Sequence, residues 1–196
     1  MRPIPGHMET KLMGAADLIA ERGLDGTKME DVAAATGIPK ATLYYYFTGK
    51  EEILAFLFGK VLNEVQAAVT VAASGPGSAA ERLRAVILAH LDVFARYPTA
   101  SRALQFDLGR AARLPEIASR VEASFLGPVT ELLREGDRDG SLGPIRQPRL
   151  AAIAILGAVT TTGLNGITPA RRGSVGELAD LLSHIVLDGL VQRGVA

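Results

Sequence analysis

Apolar residues recur along this chain at three- and four-residue intervals and almost nowhere in alternation. That spacing marks helices with one buried face, and no run with a period of two competes with it. A first helix is predicted from about residue 8, with Leu12, Ala15, Ala16 and Ile19 on one face and Gly23 as its stop. A second opens at Thr27 and buries Met29, Val32 and Ala33 before Thr36 and Gly37. A short third begins at Pro39, whose fixed φ suits a first helical turn. The fourth starts after Thr48 and continues through Ile53, Leu54, Leu57, Val61, Leu62 and Val65 to a linker-like SGPGS at 74–78.

Beyond the linker, Leu83, Ile87, Leu91 and Phe94 define a helix that ends at Tyr97-Pro98. Further helices are expected at roughly 100–111, at 115–136 with a bend at Gly127-Pro128, at 149–165 and at 175–193. Capping boxes, Ser or Thr with Glu three residues on, stand at Thr27/Glu30, Thr48/Glu51, Ser78/Glu81 and Ser174/Glu177. The predicted fold is all-α, with about nine helices.

Composition narrows the chemistry. The 196 residues contain no cysteine, which removes disulfides, thiol catalysis and Cys-ligated zinc. Only His7, His90 and His184 are present, and none has a carboxylate three residues before it, so the Glu-x-x-His metal pattern of helical bundles is missing. No catalytic residue, metal or cofactor is assigned. The first ten residues lack the apolar stretch of a secretory signal, and a cytoplasmic location is expected. Leu150 to Ala170 carries no charge, but its threonines, glycines, Asn165 and Pro169 read as a buried helix of a soluble protein and not as a membrane span.

Net charge is zero, yet its distribution is uneven: all five lysines precede residue 61, and 14 of the 16 arginines follow residue 80. Gly37 to Lys50 holds Lys40 and Lys50 and no acid. An anion-facing surface would therefore be local. It coincides with two short helices joined by the tight Thr36-Gly37-Ile38 turn, the arrangement of a helix-turn-helix.

The segment PKATLYYYFTGK tests that idea. Each helical step turns about 100°, so three adjacent tyrosines cannot share a core. With Leu43 and Phe47 inward, Tyr45 points directly away, Ala41 and Thr42 lie near it, and Tyr44 and Tyr46 flank it. Small Ala41 permits close approach to bases, Thr42 offers a hydroxyl and a methyl, and the flanking hydroxyls and lysines suit phosphates. Taken alone, the wheel also allows a tyrosine cluster packed in a core or against a partner protein.

Residues 8–60 resemble the DNA-binding domain of the TetR family of bacterial transcriptional regulators, with the family pattern in TKMEDVAAATGIPKATLYYYFTGKEEIL at 27–54. The resemblance rests on Thr27, the Gly37-Ile38 turn, Leu43-Tyr44 with Phe47, and Lys50-Glu51-Glu52. It implies a helix-turn-helix domain over 8–50 and a larger ligand-binding and dimerisation domain over 51–196. It implies that Lys40, Ala41, Thr42, Tyr44, Tyr45 and Tyr46 face double-stranded DNA and that Thr27 and Lys50 hold phosphates; Lys28 and Thr27, at the start of the second helix, also sit where a second backbone contact is expected. Tyr46 departs from the histidine frequent at that position.

The same resemblance implies a homodimer formed by the last two long helices, reading a palindromic operator. Small residues at Ala154, Gly157 and Ala158 would let helices approach, with Leu178, Leu182, Ile185 and Val186 opposite. A largely apolar small-molecule effector would release the protein, most often a repressor, from DNA. Polar or aromatic residues on apolar helices nominate His90, Phe94, Gln105, Phe106, Phe125 and Thr161 as its contacts.

Overall fold

A computed structural model describes residues 3–103, 115–166 and 175–190. The described secondary structure is helical, and it falls into two compact units. One comprises residues 1–61 with 97–118, the other 62–96 with 119–196, so each unit is built from two stretches of chain.

In the first unit, α1 (Gly6–Leu12) and α2 (Gly14–Arg22) share the face expected of a single helix, with a break at Met13. Leu12, Ala15, Ala16 and Ile19 are all buried. α3 (Met29–Thr36) and α4 (Lys40–Tyr46) follow, then α5 (Lys50–Ala73), which continues into the second unit. Val32, Ile38, Leu43, Phe47, Ile53 and Leu54 complete this small core. Each such side chain contributes roughly 1.5–3 kcal/mol on burial. Residues 98–103, helical as far as they are described, constitute α7.

α5 is long and apolar enough to cross a membrane by length and composition. Its setting is that of a core helix. Leu57, Phe58, Val61, Val65 and Val69 are buried, Lys60 pairs with Glu9, and Glu64 pairs with Arg96.

The second unit is organised around α6 (Ala79–Arg96), which packs on α9 (Gly127–Asp139), α10 (Pro148–Gly166) and α11 (Val175–Leu190). Ser78 and Glu81 form the expected capping box, with the Ser78 N–H donating to Glu81 at 2.8 Å and the Glu81 N–H to the Ser78 hydroxyl at 3.3 Å. The end of α9 adds a second cap: the Ala79 N–H donates to the Asp139 carboxylate at 3.0 Å. At Gly163 a side chain would collide with Leu91 and Phe94, each 2.9 Å from the position of a Cβ. A glycine there lets α10 lie close on α6.

Between α8 (Pro115–Val121) and α9 the helix widens into a π-turn over Glu122–Leu126, closed by the Gly127 N–H on the Glu122 carbonyl. This stands where a proline bend was expected. Pro128 has no N–H to donate, and its ring crowds the carbonyl four residues back; one extra residue in the turn relieves both conflicts.

Two capping expectations shift by one residue. At α3 the Lys28 N–H is held by Asp31 at 2.9 Å, and at α5 the Thr48 N–H is held by Glu52 at 2.8 Å. Ser174 lies outside the described residues.

Candidate functional site

The turn between α3 and α4 sets the geometry of the exposed face. Gly37 is left-handed, with φ 63°, which a residue with a Cβ adopts only at a cost. Beside it the buried Thr36 hydroxyl donates to the Val32 carbonyl at 2.7 Å and accepts the Ile38 N–H at 3.3 Å. Buried Ile38 then anchors the entry to α4. Pro39 occupies the N-cap, its carbonyl accepting the Thr42 and Leu43 N–H groups.

Leu43 and Phe47 point into the unit, and Phe47 meets Phe56 edge-on with centroids 6.1 Å apart. Tyr45 is 60% exposed and Tyr44 50%; Lys40 and Ala41 are exposed, and Thr42 and Tyr46 half-buried. Tyr46 supports Tyr45 edge-on, with rings 5.0 Å apart. The Lys40 ammonium stands 5.8 Å from the centre of the Tyr44 ring and pairs with Glu30 of α3. The hydrogen bond to Lys40 is the main cause that lowers the Glu30 pKa, and the same bond raises that of Lys40. Glu30 is expected from sequence only as the capping partner of Thr27; its pairing with Lys40, ten residues on, gives no periodic signal.

Two expected phosphate contacts are occupied by the protein itself. Thr27 is fully buried, its hydroxyl donating to the Gly23 carbonyl at 2.8 Å and its N–H to that of Leu24. The Lys50 ammonium donates to the Leu24 carbonyl at 2.7 Å and the Thr27 carbonyl at 3.1 Å, with Asp25 at 3.4 Å. Both side chains close the loop between α2 and α3. Lys28, at the N-cap of α3, is exposed.

In the second unit His90, Phe94 and Phe125 come together. His90 is fully enclosed, with Phe94 edge-on at 4.6 Å and Phe125, from the π-turn, at 4.9 Å. Among the described residues neither ring nitrogen has a hydrogen-bond partner. Burial pushes the imidazole pKa down to about 3, so the ring is neutral at physiological pH. Gln105 and Phe106 lie outside the described residues. Thr161 does not join this cluster: it is exposed on α10, whose inward face is Ala152, Ile155, Val159, Thr160 and Gly163.

The outward faces of α10 and α11 carry large apolar residues. Leu150, Ile153, Ala154, Gly157 and Thr161 share one exposed stripe at helical spacing, and Leu181 and Ile185 stand exposed on α11. Leu182, expected at a dimer contact, is only 4% exposed and belongs to the chain's own core. Leu178 packs over the end of α10, where a Cβ at Gly166 would lie 2.5 Å from it. Ala158 and Val186 are half-buried. Leu150 and Ile153 thus join Ala154 and Gly157, the small residues expected at the contact, on the outward face of α10.

The sequence profile described as bacterial regulatory proteins of the tetR family matches residues 12–56, and that of the tetracycline repressor-like C-terminal domain matches 76–190. The chain belongs to the TetR family. It is a ligand-responsive, DNA-binding transcriptional regulator. Among TetR relatives, the fatty acid metabolism regulator protein of Bacillus subtilis is 23% identical over 187 residues, covering 95% of this chain and 96% of its own. The TetR-family regulator PfmR from Thermus thermophilus is similar in structure, with a TM-score of 0.76, 28% identity, and coverage of 93% and 99%. AibR, solved in complex with isovaleryl coenzyme A and operator DNA, aligns with a TM-score of 0.76 at 24% identity over 92% of this chain and 98% of its own.

Proposed function

We propose that this regulator is a repressor that binds a palindromic operator as a homodimer and leaves it when a largely apolar effector enters the second unit. The observation that carries the DNA reading is the division of α4, with Leu43 and Phe47 buried and Tyr44, Tyr45 and Lys40 turned out on an acid-free segment. Tyr45 reads a base edge beside Ala41 and Thr42. Tyr44, Tyr46, Lys40 and Lys28 serve the backbone. In this reading residues 8–50 form the DNA-binding domain and 51–196 the effector and dimer domain.

The dimer uses the apolar outward faces of α10 and α11: Leu150, Ile153, Ala154, Gly157, Leu181 and Ile185. Exposed apolar stripes of this kind favour a self-complementary interface. The effector contacts His90, Phe94 and Phe125. The operator and isovaleryl coenzyme A named with AibR support a switch between DNA-bound and effector-bound states. The protein works by binding and not by catalysis, in the cytoplasm.

A mobility-shift assay against the DNA flanking its own gene tests the reading. A discrete complex is expected with the wild-type protein and none with Tyr45→Ala at the same concentration. Equal binding by both proteins would overturn the site.

A further inference from the structure

The enclosed imidazole of His90 has a consequence for what the effector is. Both ring nitrogens lack partners among the described residues, although polar atoms this deep in a protein are almost always hydrogen-bonded. The described surroundings are apolar: Phe94 and Phe125 meet the imidazole edge-on, and Leu91 lies on the same turn of α6. The π-turn that carries Phe125 is a distortion that recurs at functional sites. A neutral imidazole has one N–H donor and one lone pair. It matches an uncharged oxygen function better than an ion, because no cation among the described residues stands beside it to pair with a buried carboxylate.

Three arginines described in this unit are paired away from His90. Arg82 is held by Glu135 and the Ala73 carbonyl, Arg96 by Glu64 and Asp92, and Arg149 by Glu122. Among the described residues none lies against His90, whose surroundings disfavour its charged form through burial alone.

We infer that His90 reads the effector through a hydrogen bond to an uncharged oxygen, so the molecule is mainly hydrocarbon with a carbonyl or hydroxyl where it meets Phe94 and Phe125. This rests on the reading that the second unit takes an apolar effector.

The probes are 2-decanone and decanoate, which share a ten-carbon skeleton and differ in charge. Calorimetric titration of the full-length protein is expected to give at least tenfold tighter binding of 2-decanone, and the imidazole nitrogen resonances that vanish in His90→Phe should shift on its addition. His90→Phe is expected to lose that preference, and His90→Gln, which keeps a donor and an acceptor, to retain part of it. Equal or tighter binding of decanoate by the wild-type protein, no binding of 2-decanone, or an unaltered preference in both variants would overturn the inference. Operator binding by the unliganded protein reports separately on the regulator reading, so either can fail without the other.

Discussion

The Lys50 ammonium sits 2.7 Å from the Leu24 carbonyl oxygen and donates to it across a turn of chain that also includes Thr27. A residue expected to hold DNA phosphate thus holds the loop that places α3. Hydrogen bonds to a charged group contribute more than neutral ones, about 1.5–3 kcal/mol. Lys50→Met is expected to lower the unfolding free energy by about that amount. Urea denaturation measures it. Unchanged stability, with a salt dependence of operator binding shallower by about one unit, would return Lys50 to the phosphate role.

Tyr45 contributes little to the fold, since 60% of it is exposed. Tyr45→Ala should change stability by no more than about 0.5 kcal/mol. Its loss of operator affinity should reach about 1–3 kcal/mol, five- to more than a hundredfold, if it meets a base edge. Thermal unfolding and operator titration on the same preparation separate the two effects.

Glu30 holds Lys40 before DNA arrives, and both are exposed. Glu30→Gln removes an acid that a phosphate would meet and frees the ammonium. Operator affinity at low salt should rise several-fold, and the salt slope should steepen by about one unit. An unchanged slope would mean that Lys40 stays clear of the phosphates.

The outward residues of α11 predict oligomeric state. Ile185, 61% exposed, is expected to tolerate Ile185→Glu as a folded monomer by sedimentation. Leu182→Ala strikes the core instead and should cost about 2–5 kcal/mol. A dimer surviving Ile185→Glu together with Leu181→Glu would remove this face from the interface.

His90 gives the second unit a pH dependence of definite sign. Its pKa falls from 6.5 to about 3 on folding, so below pH 6.5 the unfolded chain takes up a proton that the folded chain refuses. Stability should decline by about 1.4 kcal/mol per pH unit toward pH 3 from this group alone, and not at all above pH 7. His90→Phe should therefore lose less stability than the wild type as the pH falls from 6.5 toward 3; urea unfolding of both measures it, because the carboxylates common to both cancel in the difference between the two curves and leave the His90 contribution.

The sequence by itself determined where most of the described helices run, that α3 and α4 form a helix-turn-helix, and which residues in and beside α4 turn inward; the remainder of the helix expected at 100–111 and the end of that at 175–193 lie outside the described residues. Those features are local: a 100° step sorts Leu43 and Phe47 from Tyr45 whatever stands opposite, and Gly37 marks the turn through its own backbone. Only the tertiary structure decided the rest. Thr27 and Lys50 donate to carbonyls four and twenty-six residues distant, and no spacing rule reveals that a charged side chain is spent inside its own domain. In α10, where almost every position is apolar or small, the wheel could not tell Thr161 from an inward residue, nor could it see Leu182 of α11 claimed by the core. Whether His90 finds a partner depends on what packs against it: its own helix brings Phe94, and the π-turn, some thirty residues on, brings Phe125.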